Sequence, residues 1–278
     1  MADSPDPVIL DRLALPRDVV ATLVLVRHGE STWVAEGRFQ GRQDPPLSEL
    51  GARQASLVAD RLARRDERTP LPIPAGAPTR IWHSPLRRAA ETARIIGEQQ
   101  PSAAPLTATD RLTEIAQGEW EGVLLGDVQA RWPAQLEAWR MTPTRAHAPG
   151  GEPLIEAAER VRTGLAEIVA KLPPLTAPAG PYDPVPGYAR LPVDGALPEP
   201  WALLVAHDGI FRLTLINLLG LPLERFWSFP FNLAAISVVT LHSGVAALRA
   251  HNLSDHLAPL AEEDRAAQEA RGDRRGAL

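Results

Sequence analysis

The chain has 278 residues and no cysteine. That removes disulfides, thiolate nucleophiles and Cys-based zinc or iron–sulfur sites together, and it fits a cytoplasmic setting. It also lacks any apolar run approaching the ~20 residues that a membrane-spanning helix needs. Its opening, "MADSPDPVILDRL", carries acids and prolines where a secretory signal needs a basic start and an apolar centre, so a soluble cytoplasmic protein is expected. There is no surplus of positive charge. Net charge is −5 and the pI about 5.8, with acids and bases interspersed, which argues against nucleic acid or a membrane surface as partner. No His-x-x-x-His pair or dense carboxylate cluster marks a metal site, and neither metal nor cofactor is expected. No repeat of fixed period appears.

What remains is an ordinary globular composition, 45% apolar and 23% charged, of a length that suits one large domain or two small ones. Ala21 to Val26 is a short apolar, β-prone run of the kind that lies in a buried parallel sheet. Residues 34 to 47 hold Gly37, Gly41, Pro45 and Pro46 and read as loop. Ser48 then caps a helix with Leu50, Leu57, Val58 and Leu62 on its apolar face. "TRIWHSPLRRAAETARII" repeats the design: a strand over 80–83, then Ser84 as N-cap and Pro85 as first helical residue. A helix is expected from about Pro153 to Leu172. "ALLVAHDGIFRLTLINLLG" is a third buried strand ending in a histidine, followed by a helix that stops at Gly220. Two β-runs, 235–241 and 245–250, flank a turn at Ser243-Gly244.

This alternation predicts an α/β three-layer sandwich, a mostly parallel sheet with helices on both faces and a small cap over the C-terminal strand ends. Nine of the 28 prolines fall between Pro173 and Pro200, a density that suits neither helix nor central strand. The expected organisation is a lead-in over 1–20, one domain over 21–254 with a Pro-rich surface insertion at about 173–200, and a polar tail over 255–278.

Chemistry gathers where strands end. Ligands of open α/β sheets bind outside the carboxyl ends of the strands. Three of those ends carry basic groups: Arg27-His28, then His83 with Arg87 and Arg88 beyond it, then His207. Each precedes a helix start or tight turn, whose free N–H groups favour anions. An arginine fork matches phosphate oxygens, and a histidine can donate to the anion or attack it. Three such ends in register point to a phosphate pocket. The other histidines, at 147, 242, 251 and 256, lie outside any such pattern, and His83 reads as a support.

The order of the blocks resembles the histidine phosphatase superfamily, in its phosphoglycerate mutase-like branch. "LVLVRHGESTWVAEGRFQGRQDPPLSELGARQA" is similar to the family's opening signature, "SPLRRAAETA" to its second block, "LTEIAQGEWEG" to its third and "LLVAHDGIFR" to its fourth. The resemblance implies that His28 is the nucleophile that becomes phosphohistidine, and that Arg27 and Arg88, rather than Arg87, hold phosphate. It makes His207 the second pocket histidine, expected to be protonated, and Glu114 the acid that protonates the leaving group. That last role has its own logic, since an alkoxide departs poorly without a proton. Glu119 and Glu121 are the nearby alternatives. Ser31, Arg38, Gln40 and Gly41 would line the pocket. Trp120, Trp132 and Trp139 fall in the covering segment, where packing is their expected role.

Two positions depart from the family pattern. Val34 stands where asparagine is frequent, so the pocket has another donor or holds phosphate less tightly. Asp208 stands where glycine is common. It could keep His207 cationic or weaken the pull on phosphate, and the sequence leaves both open. The resemblance implies a metal-independent phosphomonoesterase acting on a small phosphorylated metabolite, with a homodimer as the assembly to test. A phosphoglycerate mutase and a non-catalytic phosphate-binding member are the alternatives. Mutases of the family carry a long basic segment over the pocket, whereas "RWPAQLEAWRMTPTRAHAPGGEPL" has only scattered arginines, which favours the phosphatase.

Overall fold

A computed structural model describes residues 8, 10–11, 13–64, 70–173 and 200–263. The Pro-rich stretch expected over 173–200 lies almost wholly outside them, as does most of the tail. The core is a six-stranded sheet in the order β3-β2-β4-β1-β5-β6. Its strands are β1 (Ala21–Arg27), β2 (Arg80–His83), β3 (Leu106–Ala108), β4 (Trp201–Ala206), β5 (Ile236–His242) and β6 (Val245–Leu253). The pairs β2–β3, β2–β4 and β1–β4 are parallel, while β1–β5 and β5–β6 are antiparallel, so the sheet is mixed with a parallel majority.

Burial follows the sheet's logic. All six residues of β4 are buried, as are Ala21 to Val26 of β1, because both strands are covered on both faces. One core layer gathers Leu23, Leu25, Leu204 and Ala206 with helices α6 (Leu154–Val169) and α7 (Asp208–Leu219). The opposite layer gathers Val24, Val26, Leu203 and Val205 with α2 (Glu49–Ala63) and α3 (Arg87–Glu98). Helix α7 is apolar nearly all round because it is buried nearly all round. It ends at Gly220, whose φ of +64° is the left-handed stop that glycine adopts freely.

The remaining helices are short. Thr32–Ala35 forms α1, a one-turn helix that runs into the stretch read as loop from residue 34, capped by the Ser31 hydroxyl. α4 (Leu125–Arg131) and α5 (Pro133–Met141) form the cap. It is tied to the loop after β1 by backbone bonds from Phe39 to Val123 and from Gly122 to Phe39. No helix among the described residues is long and apolar enough to cross a membrane.

Three expectations change. α3 begins at Arg87 with Leu86 as N-cap, two residues later than the serine and proline suggested. The Ser84 hydroxyl is engaged elsewhere, as shown below. The lead-in is not merely polar: Leu13, Val19 and Val20 are buried. The start of the tail is also held. Asp255 pairs with Arg61 of α2, Glu263 with Arg53, and Leu260 is buried.

Candidate active site

Strand register assembles the site. Arg27 at the end of β1 pairs with Ala206 at the end of β4, and the His28 backbone N–H donates to the Ala206 carbonyl at 3.0 Å. The next residue on each strand is a histidine. The two imidazoles lie side by side, with ring centroids 5.0 Å apart. On the other side of β4, His83 of β2 pairs with Val205, and one residue past that strand the Ser84 side chain reaches the His207 ring. The tight turn after β1 needs two glycines back to back: a Cβ on Gly29 would meet the Gly51 carbonyl oxygen at 2.3 Å. That close approach packs the start of α2 onto the loop carrying His28.

The His28 ring is buried, and its Nδ1 lies 2.6 Å from the Gly29 carbonyl oxygen. A carbonyl only accepts, so Nδ1 carries the proton and Nε2 keeps its lone pair. Burial pushes the imidazole well below the usual histidine range, and the Arg88 and Arg27 cations push it the same way. Both effects favour the neutral imidazole, whose Nε2 lone pair is not used by the Gly29 bond.

Arg88, in the first turn of α3, is fully buried and donates to the carbonyls of Gln43 and Gly41 at 2.7 and 2.8 Å. Burial lowers it to about 10, against the pull of Glu114 and Asp44, so it stays cationic at neutral pH. Its neighbour Arg87 points outward, with a side chain 56% exposed and paired with Glu91. Arg27 donates to the Phe231 carbonyl at 2.5 Å, and burial lowers it too. These bonds aim the guanidinium groups but leave Arg27 Nε and Arg88 Nε buried without a partner among the described residues.

His207 is the N-cap of α7 and is completely buried. The expectation that it is cationic does not hold in the free site. Burial lowers it well below the usual range, and Arg88, His28 and Arg27 all push the same way. Asp208 does not counter them, because its carboxylate accepts from Arg212 Nε at 2.9 Å. Its field falls instead on Arg27 and Glu114, both of which it raises. The sequence's open question about Asp208 thus has a third answer.

Glu114 lies in the loop after β3, where burial raises its carboxyl above the usual range and the Asp208 charge adds to that. Its Oε1 accepts from the Ile115 N–H at 2.9 Å and its Oε2 approaches the Gly209 N–H at 3.4 Å, against the first turn of α7. Glu121, one alternative, has its Oε1 occupied by the backbone N–H groups of Arg42 and Gln117. Glu119, the other, is exposed. The Glu114 loop is clamped from behind. Arg160 of α6 donates to the carbonyls of Arg111 and Thr113 at 3.0 and 2.7 Å, and Glu152 pairs with both Arg160 and Arg42.

Of the residues expected to line the pocket, Gly41 supplies a carbonyl to Arg88, and the Ser31 hydroxyl donates to Gln40 Oε1 at 2.6 Å. Arg38 braces the cap, bonded to Glu36 and to the Gly122 carbonyl. The Val34 N–H is taken by the Ser31 hydroxyl. Trp120 and Trp139 are packing residues, against Phe39 and Phe226 respectively, and Trp132 lies under the Arg131 guanidinium. Among the described residues no cluster of three or more histidine, aspartate and glutamate side chains is placed to share a metal ion.

Sequence reasoning missed Gly209, Arg160 and Glu152. A Cβ on Gly209 would meet Glu114 Oε1 at 2.7 Å, so only glycine lets the carboxyl rest there. The signal was present in "HDGIF": the glycine that matters is the second residue after the histidine. Gly209→Ala should leave the protein folded but displace the Glu114 carboxyl. Turnover of an alkyl phosphate is then expected to fall roughly 10²-fold or more, the scale of a lost general acid. Steady-state kinetics with glycerol phosphate beside a melting curve would check this; unchanged turnover would mean that the carboxyl works from another position.

Comparison with known proteins gives the family. The model of the histidine phosphatase superfamily (branch 1) matches residues 23–176 and 194–254. Phosphoserine phosphatase 1 of Hydrogenobacter thermophilus is 31% identical over 235 residues, covering 84% of this chain and 93% of its own. Glucosyl-3-phosphoglycerate phosphatase of Mycolicibacterium vanbaalenii is 33% identical, covering 74% of this chain and 78% of its own. Among solved structures, the mycobacterial glucosyl-3-phosphoglycerate phosphatase complexed with VO3 superposes with a TM-score of 0.64 at 29% identity, covering 84% of this chain and 99% of its own. The chain belongs to branch 1 of the histidine phosphatase superfamily.

Proposed function

We propose that this chain, a phosphomonoesterase by family, hydrolyses a small phosphorylated metabolite through a phosphohistidine on His28. One observation carries the reading. Three buried nitrogens, Arg27 Nε, Arg88 Nε and His207 Nδ1, have no partner among the described residues, and all three belong to groups electrostatically coupled around the neutral His28 ring. An unsatisfied buried donor costs about 1–3 kcal/mol, more when charged. A phosphoryl group's three peripheral oxygens would satisfy these donors, with phosphorus presented to the free lone pair of His28 Nε2.

The reaction then has two steps. His28 Nε2 forms a bond to phosphorus as the ester P–O bond breaks, and Glu114, whose burial favours the protonated form, passes its proton to the departing alcohol oxygen. In the second step the ionised Glu114 takes a proton from water, whose oxygen attacks phosphorus. The N–P bond breaks, and inorganic phosphate leaves with His28 neutral again. The two guanidinium groups carry the charge of the phosphoryl oxygens in both steps, and neutral His207 contributes an N–H donor.

The named relatives act on phosphoserine and on glucosyl-3-phosphoglycerate, so phosphorylated small metabolites are the class to screen. A mutase would need to hold a phosphorylated acid while the phosphoryl group moves between its oxygens. The arginines of the cap do not form a clamp: Arg131 lies over Trp132 at 4.2 Å, and Arg140 and Arg145 are exposed. The test is a phosphomonoester panel in the presence of a chelator, run beside a mutase assay. Phosphate release from at least one small ester is expected. With 3-phosphoglycerate, slow release or none is expected, with no 2-phosphoglycerate even when 2,3-bisphosphoglycerate is added. Rapid, primer-dependent formation of 2-phosphoglycerate would overturn the phosphatase reading.

A further inference from the structure

Ser84 reads in the sequence as a helix cap, yet its hydroxyl lies 2.8 Å from His207 Nε2, and both residues are fully buried. The backbone holds it there. Ser84 N–H donates to the Val205 carbonyl at 3.0 Å, which continues the β2–β4 register one residue past the strand. The Leu86 N–H donates to the same hydroxyl oxygen at 3.3 Å.

A hydroxyl has one proton to give, and a neutral imidazole has one donor and one acceptor nitrogen. Two arrangements follow. If Nε2 carried the ring proton, the Ser84 oxygen would accept from both Nε2 and Leu86, and its own proton would find no other acceptor among the described residues. Nδ1, buried without a partner among the described residues, would then be left with an unused lone pair. If Ser84 donates to Nε2, every group is used. The Leu86 N–H occupies a lone pair of the hydroxyl, the hydroxyl proton occupies Nε2, and the ring proton sits on Nδ1, ready for a phosphate oxygen.

We propose that Ser84 is a positioning residue that fixes His207 in the Nδ1–H tautomer and so makes a neutral histidine into a phosphate donor. The proposal rests on the phosphohistidine reading above. It gives the two imidazoles the same tautomer and opposite uses. In His28 the Nδ1–H is spent on the Gly29 carbonyl and Nε2 attacks. In His207, Nε2 is spent on Ser84 and Nδ1–H faces the substrate. The pocket can then bind an anion with two cations and a neutral donor, without keeping a third positive charge buried beside Arg27 and Arg88. The serine is specified by its hydroxyl, so threonine can replace it and alanine cannot.

The test uses the full-length protein labelled with 15N in histidine, with the His207 signals identified by their loss in His207→Asn. Two-bond 1H–15N correlations report which ring nitrogen bears the proton. Wild type is expected to show Nδ1–H at His207. Ser84→Ala should move population to Nε2–H, weaken binding of vanadate, the probe, roughly tenfold (one lost hydrogen bond), and lower kcat/KM at least as much. Ser84→Thr should restore all three. An Nε2–H tautomer in wild type would overturn the proposal, as would an Ser84→Ala protein that keeps the wild-type tautomer and vanadate affinity. Should Ser84→Ala fail to fold, the wild-type and Ser84→Thr tautomers still decide it. Failure of the function reading looks different: wild type would then release no phosphate from any ester, whatever its tautomer.

Discussion

Replacing His28 with alanine is expected to lower turnover by roughly 10⁴-fold or more, the scale on which loss of a nucleophile acts, and to abolish covalent phosphorylation of the protein. The geometry gives no second candidate for the attack. His207 is within the same pocket, but its Nε2 is committed to Ser84, and its Nδ1 is the nitrogen that should carry a proton. The measurement is phosphorus NMR, or acid-labile label, on protein mixed rapidly with substrate, beside steady-state rates. Wild type should show a phosphohistidine signal and the variant none. A variant that still forms phosphohistidine would move the nucleophile to His207. A wild type that turns over without one would replace the covalent mechanism by direct attack of water. Stability should fall only modestly. The ring is buried, but among the described residues it takes just one hydrogen bond, to Gly29. Its loss opens the pocket rather than emptying the apolar core.

The sheet and the gathering of Arg27, His28, Arg88 and His207 at its strand ends were legible in the sequence because they come from local, repeated signals. β1, β2 and β4 are short apolar runs that each end in a polar group, and the adjacency of Arg27-His28 to His207 follows once parallel strands are placed side by side. Arg88 was separable from Arg87 only through the resemblance; the structure adds the physical reason, one arginine buried over the loop carbonyls and the other in solvent. What stayed illegible depends on contacts across long separations. Arg160 meets the Glu114 loop from α6, almost fifty residues downstream, and nothing in the helix sequence distinguishes it from a surface arginine. The resemblance alone made His207 cationic and the effect of Asp208 stayed open, because Arg212, one turn on, could not be weighed from the sequence. That arginine holds the carboxylate, and burial among other cations then decides the imidazole. Ser84 shows the opposite case, where a residue with a sound local role as a cap is taken by a partner that only tertiary structure supplies.

Glu114→Gln should separate substrates by their leaving groups. Glutamine has nearly the shape of the protonated acid, and its one side-chain oxygen can still accept from the Ile115 N–H in place of Oε1, so only the longer 3.4 Å approach of Gly209 N–H to Oε2 is lost. What it cannot do is give up a proton. An alkyl phosphate needs that proton as its P–O bond breaks, and the loss there should be about 10²–10⁴-fold. p-Nitrophenyl phosphate releases a stabilised phenolate and needs far less help, so its phosphorylation step should be nearly spared. Any fall in its overall turnover would come from the second step, where the carboxylate no longer takes a proton from water, and phosphohistidine should then accumulate. The pH profile provides a further check. Burial and the Asp208 charge hold the Glu114 carboxyl above its usual range. Wild-type kcat/KM on an alkyl phosphate should therefore decline as pH rises through that raised value, because deprotonation removes the acid. With p-nitrophenyl phosphate the same limb should be shallow, and in Glu114→Gln it should disappear. Equal losses on both substrates, with the basic limb intact, would place the proton donor on another group, and Glu119 and Glu121 would be the next substitutions to make.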